Sequence, residues 1–274
     1  MPCFIPESLD EKKCVYVTCK AALCVLLFAG AQIVGHVILA QVPAPTAELV
    51  YSQCQATMGL VNAGYSIRAT GDITDDGHPD AAAIPFLFRS SGRTKTLWEI
   101  GSGTKKETTS SNGSKGHHTY HGVNKSAPST ADTVYRLPEF VPAFACGNSS
   151  VMVHGSVTYI GAETLDGKTV DHLHVRMADT TVSHADAKTR EAIQSYELFV
   201  DQQTHLVFAW RRVVFSSEAL ENHAVLEMRF DDYEMNNSIQ VPHVIHRLLN
   251  GRPVDTLHVQ SIEQAAPLTN DELR

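Results

Sequence analysis

The chain has 274 residues, a net charge of −8, and 19% charged against 43% apolar residues. Those values suit one sizeable folded core and exclude wholesale disorder. An acidic body without a basic run excludes nucleic acid as a partner and argues against electrostatic docking on an anionic bilayer.

The N-terminus reads as a targeting segment. Lys12, Lys13 and Lys20 precede the uncharged run Ala21–Ala40, and Gln41-Val-Pro-Ala-Pro follows it. Basic flank, apolar core and a small residue at Ala40 predict a secretory signal over 1–41 and one domain over 42–274. The rival is an uncleaved inner-membrane anchor, since twenty residues just span a bilayer. Gly30, Gln32, Gly35 and His36 weigh against an anchor. The segment therefore predicts export. Beyond this segment only Cys54 and Cys146 remain. They are either a disulfide formed in an oxidising compartment or two buried thiols.

In chain order, Leu49, Val50, Cys54, Thr57, Met58 and Val61 recur at three- and four-residue steps, which predicts a helix over 46–62 capped by Thr46. From Tyr65 the period shortens to two. Strands are expected over 65–72, 82–90, 94–101 and 105–111, separated by Asp76-Gly77-His78-Pro79, Ser91-Gly92 and Ser102-Gly103. Residues 108–130 are rich in Ser, Thr, Gly, Asn and His and read as an exposed hairpin or loop. Pro138 and Pro142 break the apolar stretch 131–147 into short helical turns.

The second half alternates more clearly. Val157 and Tyr159, then Leu173 and Val175 after the Asp166-Gly167 turn, then Leu226 and Met228, each fall on one face of a strand. Phe208, Trp210, Val207 and Val213 put apolar groups on both faces of another strand, while Arg211-Arg212 reads as an outward pair or an ion pair. The count comes to about eleven antiparallel strands, and open sheets of more than ~10 tend to curl. The expected fold is mainly β with a few helices: a single curved antiparallel sheet forming an incomplete half-barrel, with a helical lid on its concave face.

Two clusters invite a metal reading. Asp72-Ile-Thr-Asp-Asp-Gly-His-Pro-Asp80 places oxygens at positions one, three, five and nine with Gly at six. Asp72, Thr74, Asp76 and Asp80 are therefore candidate calcium ligands, although the same stretch also suits a polar hairpin loop. His172 and His174 share a strand face, and His117, His118 and His121 share a loop. No third ligand is evident near either, which favours solvated histidines. No nucleophile elbow and no glycine-rich phosphate loop is present.

Glu197-Leu-Phe-Val-Asp201 before a turn, Phe230-Asp-Asp-Tyr, and Ile239-Gln-Val-Pro-His-Val-Ile, after an N-terminal helix and two meanders split by a helical interruption, resemble the bacterial outer-membrane lipoprotein-carrier superfamily over residues 46–263. The resemblance implies a half-barrel whose hydrophobic cavity, under a helical lid, holds an acyl chain or another lipophilic ligand. It also implies a non-enzymatic monomer, and leaves room for an envelope membrane partner. Arg68, Arg89 and Arg93 are candidates for that family's cargo-transfer arginine, and none sits in a matching motif. Combined with the alternation, it assigns Val157, Tyr159, Leu173, Val175, Leu226 and Met228 to the cavity wall, faced by Leu49, Val50 and Met58 of the helix. The competing expectations are a hydrolase using the concave cleft and a calcium-dependent structural module.

Overall fold

The computed structural model describes residues 44–59, 65–92, 95–112, 115–120, 123–128, 137–146, 154–177, 195–215 and 223–273. The expected targeting segment lies outside them. The account below concerns the unit Pro43–Arg274.

Helix α1 (Ala47–Met58) starts where Thr46 Oγ1 accepts the Leu49 backbone N–H at 3.2 Å, and it stops at Gly59 with φ +86°. The glycine is required there. A Cβ would lie 1.9 Å from the Ser238 carbonyl oxygen, so any side chain would push the helix end off the sheet. The buried face of α1 is Ala47, Val50, Tyr51, Cys54 and Met58.

The first meander comprises β1 (Ser66–Asp75), β2 (Ile84–Ser91), β3 (Lys95–Ile100), β4 (Glu107–Asn112), β5 (Lys115–Tyr120) and β6 (Val123–Pro128). A helical crossing follows, made of α2 (Leu137–Phe140) and a 3₁₀ turn (Pro142–Phe144). The second meander comprises β7 (His154–Leu165), β8 (Lys168–Met177), β9 (Ser195–Asp201), β10 (Val207–Phe215), β11 (His223–Asn236), β12 (Ile239–Leu249) and β13 (Arg252–Gln264).

All thirteen strands form one sheet in the order β6-β5-β4-β3-β2-β1-β13-β12-β11-β10-β9-β8-β7. The antiparallel pairing of β1 with β13 joins the two meanders. This is the expected open half-barrel with two further strands. Those two, β5 and β6, lie in the stretch that reads as an exposed hairpin or loop, and they pair as a hairpin. They form the outer edge of the sheet, where little apolar surface is needed.

This topology dictates where the lid must be. Strands β6 and β7 are opposite edges of the sheet, yet they are consecutive in the chain. The connection between them has to cross the sheet, and α2 and the 3₁₀ turn lie in it. Both rest on β12, and the 3₁₀ turn also reaches β10, while α1 touches β7, β12 and the 3₁₀ turn. The core is the volume between this cover and the concave face.

The C-terminal tail packs apart from that core. Leu268 and Leu273 are buried with Leu97, the Ser110 hydroxyl donates to the Leu273 carbonyl, and Arg89 pairs with Glu272. Glu272 is held down to about 2, first by the Thr269 backbone N–H, then by Arg89 and the Thr269 hydroxyl. A depressed carboxylate contributes fully above its unfolded value near 4.5 and loses that contribution as the pH falls through about 2. The tail is therefore expected to release from the sheet between about pH 4 and pH 2. Leu268 and Leu273 methyl shifts should move to solvent values in that window, and shifts that stay put to pH 2 would contradict the assignment.

Candidate functional site: a lidded apolar wall

The concave face is built by period-two alternation. Leu173 and Val175 of β8, Leu198 and Val200 of β9, Met228 and Phe230 of β11, and Ile239, Val241 and Ile245 of β12 all point inward and are buried. Across the β1–β13 junction the wall continues through Ile67, Ala69, Phe86, Phe88 and Trp98. Seams are tied off locally. Tyr233 donates its hydroxyl to the Val207 carbonyl at 2.7 Å, and Tyr159 donates to Asp171 at 2.9 Å. Burial and the Asp171 carboxylate push Tyr159 up to about 12.

The structure brings most of the expected wall together. Val50, Met58, Leu173, Val175 and Met228 share one buried cluster, and Val157, Tyr159 and Leu226 pack against it half-buried. Leu49 does not join them; it is 49% exposed. At ~100° per residue it lies roughly 160° from the centre of the buried helix face, and Ala47 and Tyr51 take its place. The helix phase was computable from Val50, Cys54 and Met58 alone.

The wall is covered by side chains of the crossing segment. Phe140 of α2, fully buried, stacks on Phe88 with ring centroids 4.3 Å apart and lies 5.1 Å from Trp98 and 5.8 Å from Phe86. Phe144 of the 3₁₀ turn sits 6.2 Å from Tyr65. Tyr196 on the wall donates its hydroxyl to the Ala145 carbonyl at 2.6 Å. Cys54 of α1 is disulfide-bonded to Cys146 just beyond the 3₁₀ turn, with Cα atoms 6.4 Å apart. That bond ties the two halves of the cover into one piece. The charge of Glu139 on α2 also acts on Arg247. Arg247, paired with Asp255, is buried against its charge, and Asp255 followed by Glu139 of α2 more than offsets that burial, leaving the guanidinium above its ordinary value.

Strand β10 carries the least expected feature. A β-bulge lies between Val207 and Ala209 in its pairing with β9, and one extra residue shifts the parity of everything after it. Val207 and Trp210 therefore both face inward, while Phe208 and Ala209 join a second apolar cluster with Val170 and Phe199. The arginine pair is split accordingly. Arg211 faces outward and is bound to Glu227 at 2.7 and 2.8 Å. Arg212, 8% exposed, lies on the inner side with its guanidinium 5.5 Å from the Trp210 ring. Thus the reading of both as an outward pair holds for Arg211 alone.

The calcium candidates do not converge. Strand β1 runs on through Asp75, so Asp72 and Asp76 are separated by ~13 Å of extended chain. Asp72 accepts from Gln260 Nε2 at 2.6 Å, and Thr74 donates to the Thr256 carbonyl at 3.3 Å. Asp76 accepts from Thr256 Oγ1 at 3.1 Å. Asp80 is exposed in the turn. The turn itself is held by Asp75, which accepts from the Gly77 backbone N–H at 2.8 Å and contacts His78 Nδ1 at 3.0 Å.

The His172–His174 pair does have carboxylate neighbours. Glu197, directly across on β9, contacts His172 Nε2 at 2.8 Å and His174 Nδ1 at 2.7 Å, and Glu163 contacts His172 Nδ1 at 2.9 Å. Sequence spacing did not reveal them, because cross-strand partners are distant in the chain. Among the described residues no group of three His, Cys, Asp or Glu is arranged to hold a metal ion. Arg68 and Arg89 face Glu263 and Glu272, and Arg93 lies outside the described residues.

Two open clefts of about 400 and 300 Å³ lie at one end of the sheet, lined by Lys168, Asp201 and the turn after β9, with Phe208, Asp231 and Asp232 in the smaller one. Neither includes an expected wall residue.

With this geometry the chain can be set beside known proteins. No family model and no curated protein matches it. Solved structures do. A LolA superfamily protein from Nitrosomonas europaea is 12% identical, with 84% of this chain and 98% of that one covered at a TM-score of 0.49. A putative outer membrane lipoprotein-sorting protein domain from Vibrio parahaemolyticus is 9% identical, with 83% and 95% covered and the same TM-score. A DUF1329 family protein from Desulfovibrio piger is 11% identical, with 84% and 98% covered, again at 0.49. The chain is similar in structure to LolA superfamily proteins. Function is therefore read from this chain's own side chains.

Proposed function

We propose that the protein is an exported, non-enzymatic binder or carrier of a lipophilic ligand, working in the bacterial periplasm. One observation carries this reading. The apolar concave wall is covered by two helical pieces, α1 and the crossing segment, instead of a second sheet. A disulfide joining those pieces fits an oxidising compartment, and the apolar N-terminal run fits export.

The magnitudes allow exchange of lid for ligand. Burying an aromatic or aliphatic side chain is worth about 1.5–3 kcal/mol, so Phe140, Val141 and Phe144 of the crossing segment together contribute roughly 5–9 kcal/mol. An acyl chain of about twelve methylenes gains ~10 kcal/mol gross on leaving water. A bound chain could therefore offset the displacement of those three side chains.

The test is native mass spectrometry of protein purified from a periplasm, together with displacement of a fluorescent fatty acid. A co-purified lipid, or saturable probe binding displaced by unlabelled chains, is expected. A protein that carries no lipid and binds no probe in either format overturns the reading.

A further inference from the structure

Trp210 stands inside the covered wall. It pairs with Leu198 of β9 and Met228 of β11, both fully buried, so apolar side chains flank it on either side. Trp210 is 1% exposed, yet its indole Nε1–H has no acceptor among the described residues. An indole nitrogen can only donate, and an unmatched donor in a buried site is costly. A phenyl ring at the same place would bury apolar surface without that penalty.

The crossing segment stands over this part of the wall. Its 3₁₀ turn reaches β10, and Tyr196, whose ring lies 6.2 Å from Trp210, donates its hydroxyl to the Ala145 carbonyl at 2.6 Å. A ligand that displaces the crossing segment therefore meets the indole N–H as it does so. The Arg212 guanidinium, 5.5 Å from the ring, is engaged on its own account, and the site does not draw on it.

A single neutral donor among apolar side chains selects the charge of its acceptor. An ionised carboxylate brought there would exchange its hydration for one hydrogen bond, which leaves most of the desolvation cost standing. The carbonyl oxygen of an ester or amide costs far less to bury, and one N–H satisfies it. A bare hydrocarbon chain offers the indole nothing.

We propose that Trp210 Nε1 is a specificity-determining donor, so that the ligand is an acyl chain held as an uncharged ester or amide whose carbonyl oxygen accepts from the indole. This rests on the carrier reading and narrows its substrate class. The chain itself runs along the Leu198–Met228 wall in place of the lid side chains.

The experiment uses methyl hexadecanoate, N-methylhexadecanamide, hexadecyl methyl ether and hexadecanoate as competitors of diphenylhexatriene, a fluorescent hydrocarbon. The proteins are the wild type and Trp210→Phe, with melting checked for both. In the wild type the ester and the amide are expected to bind about three- to tenfold more tightly than the ether, the share of one hydrogen bond. The tighter of the two names the linkage. Hexadecanoate at about pH 8, where it is ionised, is expected to bind more weakly than the ester. In Trp210→Phe the ratio of ester to ether affinity should fall to about one. A second readout is direct. The chain has two tryptophans, and the indole N–H resonance lost in Trp210→Phe belongs to Trp210. That resonance should move downfield with ester or amide and hold its place with the ether. Equal binding of ester and ether by the wild type, a ratio that survives Trp210→Phe, an indole resonance that answers the ether as it does the ester, or tighter binding of hexadecanoate than of its methyl ester overturns the donor site while leaving the carrier intact. If Trp210→Phe does not fold, the wild-type ratio and the indole resonance, assigned through Trp98→Phe, decide by themselves. Absence of binding by every chain instead overturns the carrier reading, and this inference with it.

Discussion

Replacing Cys54 and Cys146 together by alanine is expected to destabilise the protein by about 4–5 kcal/mol in urea unfolding, because the bond closes a loop across 92 residues. Both cysteines are fully buried, so alanine is the right replacement; serine would add the cost of burying two hydroxyls. Wild-type protein under reducing conditions should show a loss of the same order. The expectation is specific in space as well as size. The bond joins α1 to the 3₁₀ turn, so the cover should loosen before the sheet does, and limited proteolysis should cut first near residues 137–146. A loss below about 1 kcal/mol, or cleavage that begins in the sheet, would show that the two lid pieces are held chiefly by their own packing.

Phe140→Ala separates a lid from an ordinary core. As a fully buried ring stacked on Phe88 and facing Trp98 and Phe86, it should cost about 3–5 kcal/mol on removal, counting transfer, cavity and aromatic-pair terms. An ordinary core residue would do only that. A lid residue that occupies ligand space should also change binding. The truncated protein is expected to take up a fluorescent fatty acid faster and at least as tightly as the wild type, since less of the wall must be uncovered. Stability is read by urea unfolding and uptake by stopped-flow fluorescence. Lower stability with slower or weaker uptake would mean that Phe140 holds the wall in shape instead of guarding it.

Much of the architecture was legible because local rules state it. Period-two alternation marked eleven strands within a few residues of their positions. Asp166-Gly167 marked a hairpin whose turn residues both have positive φ, and Thr46 capped α1 as expected. Pro138 and Pro142 marked the crossing segment. The hairpin alternative for 108–130 holds: β5 and β6 are edge strands with polar sequences, and backbone pairing sustains them without an apolar stripe. The misses also have physical causes. Leu49 was counted into the three- and four-residue recurrence that marks the helix, and the helix phase puts it opposite the buried face. Asp72 and Asp76 looked like neighbours around an ion because β1 was ended three residues early.

What the sequence by itself determined is the antiparallel sheet, the helical interruption and the apolar face, since each depends on residues within a few positions of one another. Tertiary structure alone decided how that face is closed and what it offers. Consecutive strands β6 and β7 became opposite edges only once β1 had paired with β13, which forced the connection across the concave side and brought Cys146 to Cys54. Arg212 faces inward because one residue bulges between Val207 and Ala209, and a bulge is a property of the pairing with β9, not of the β10 sequence. Alternation fixes only that two adjacent strand residues lie on opposite faces; the register of the neighbouring strand settles which one is inside.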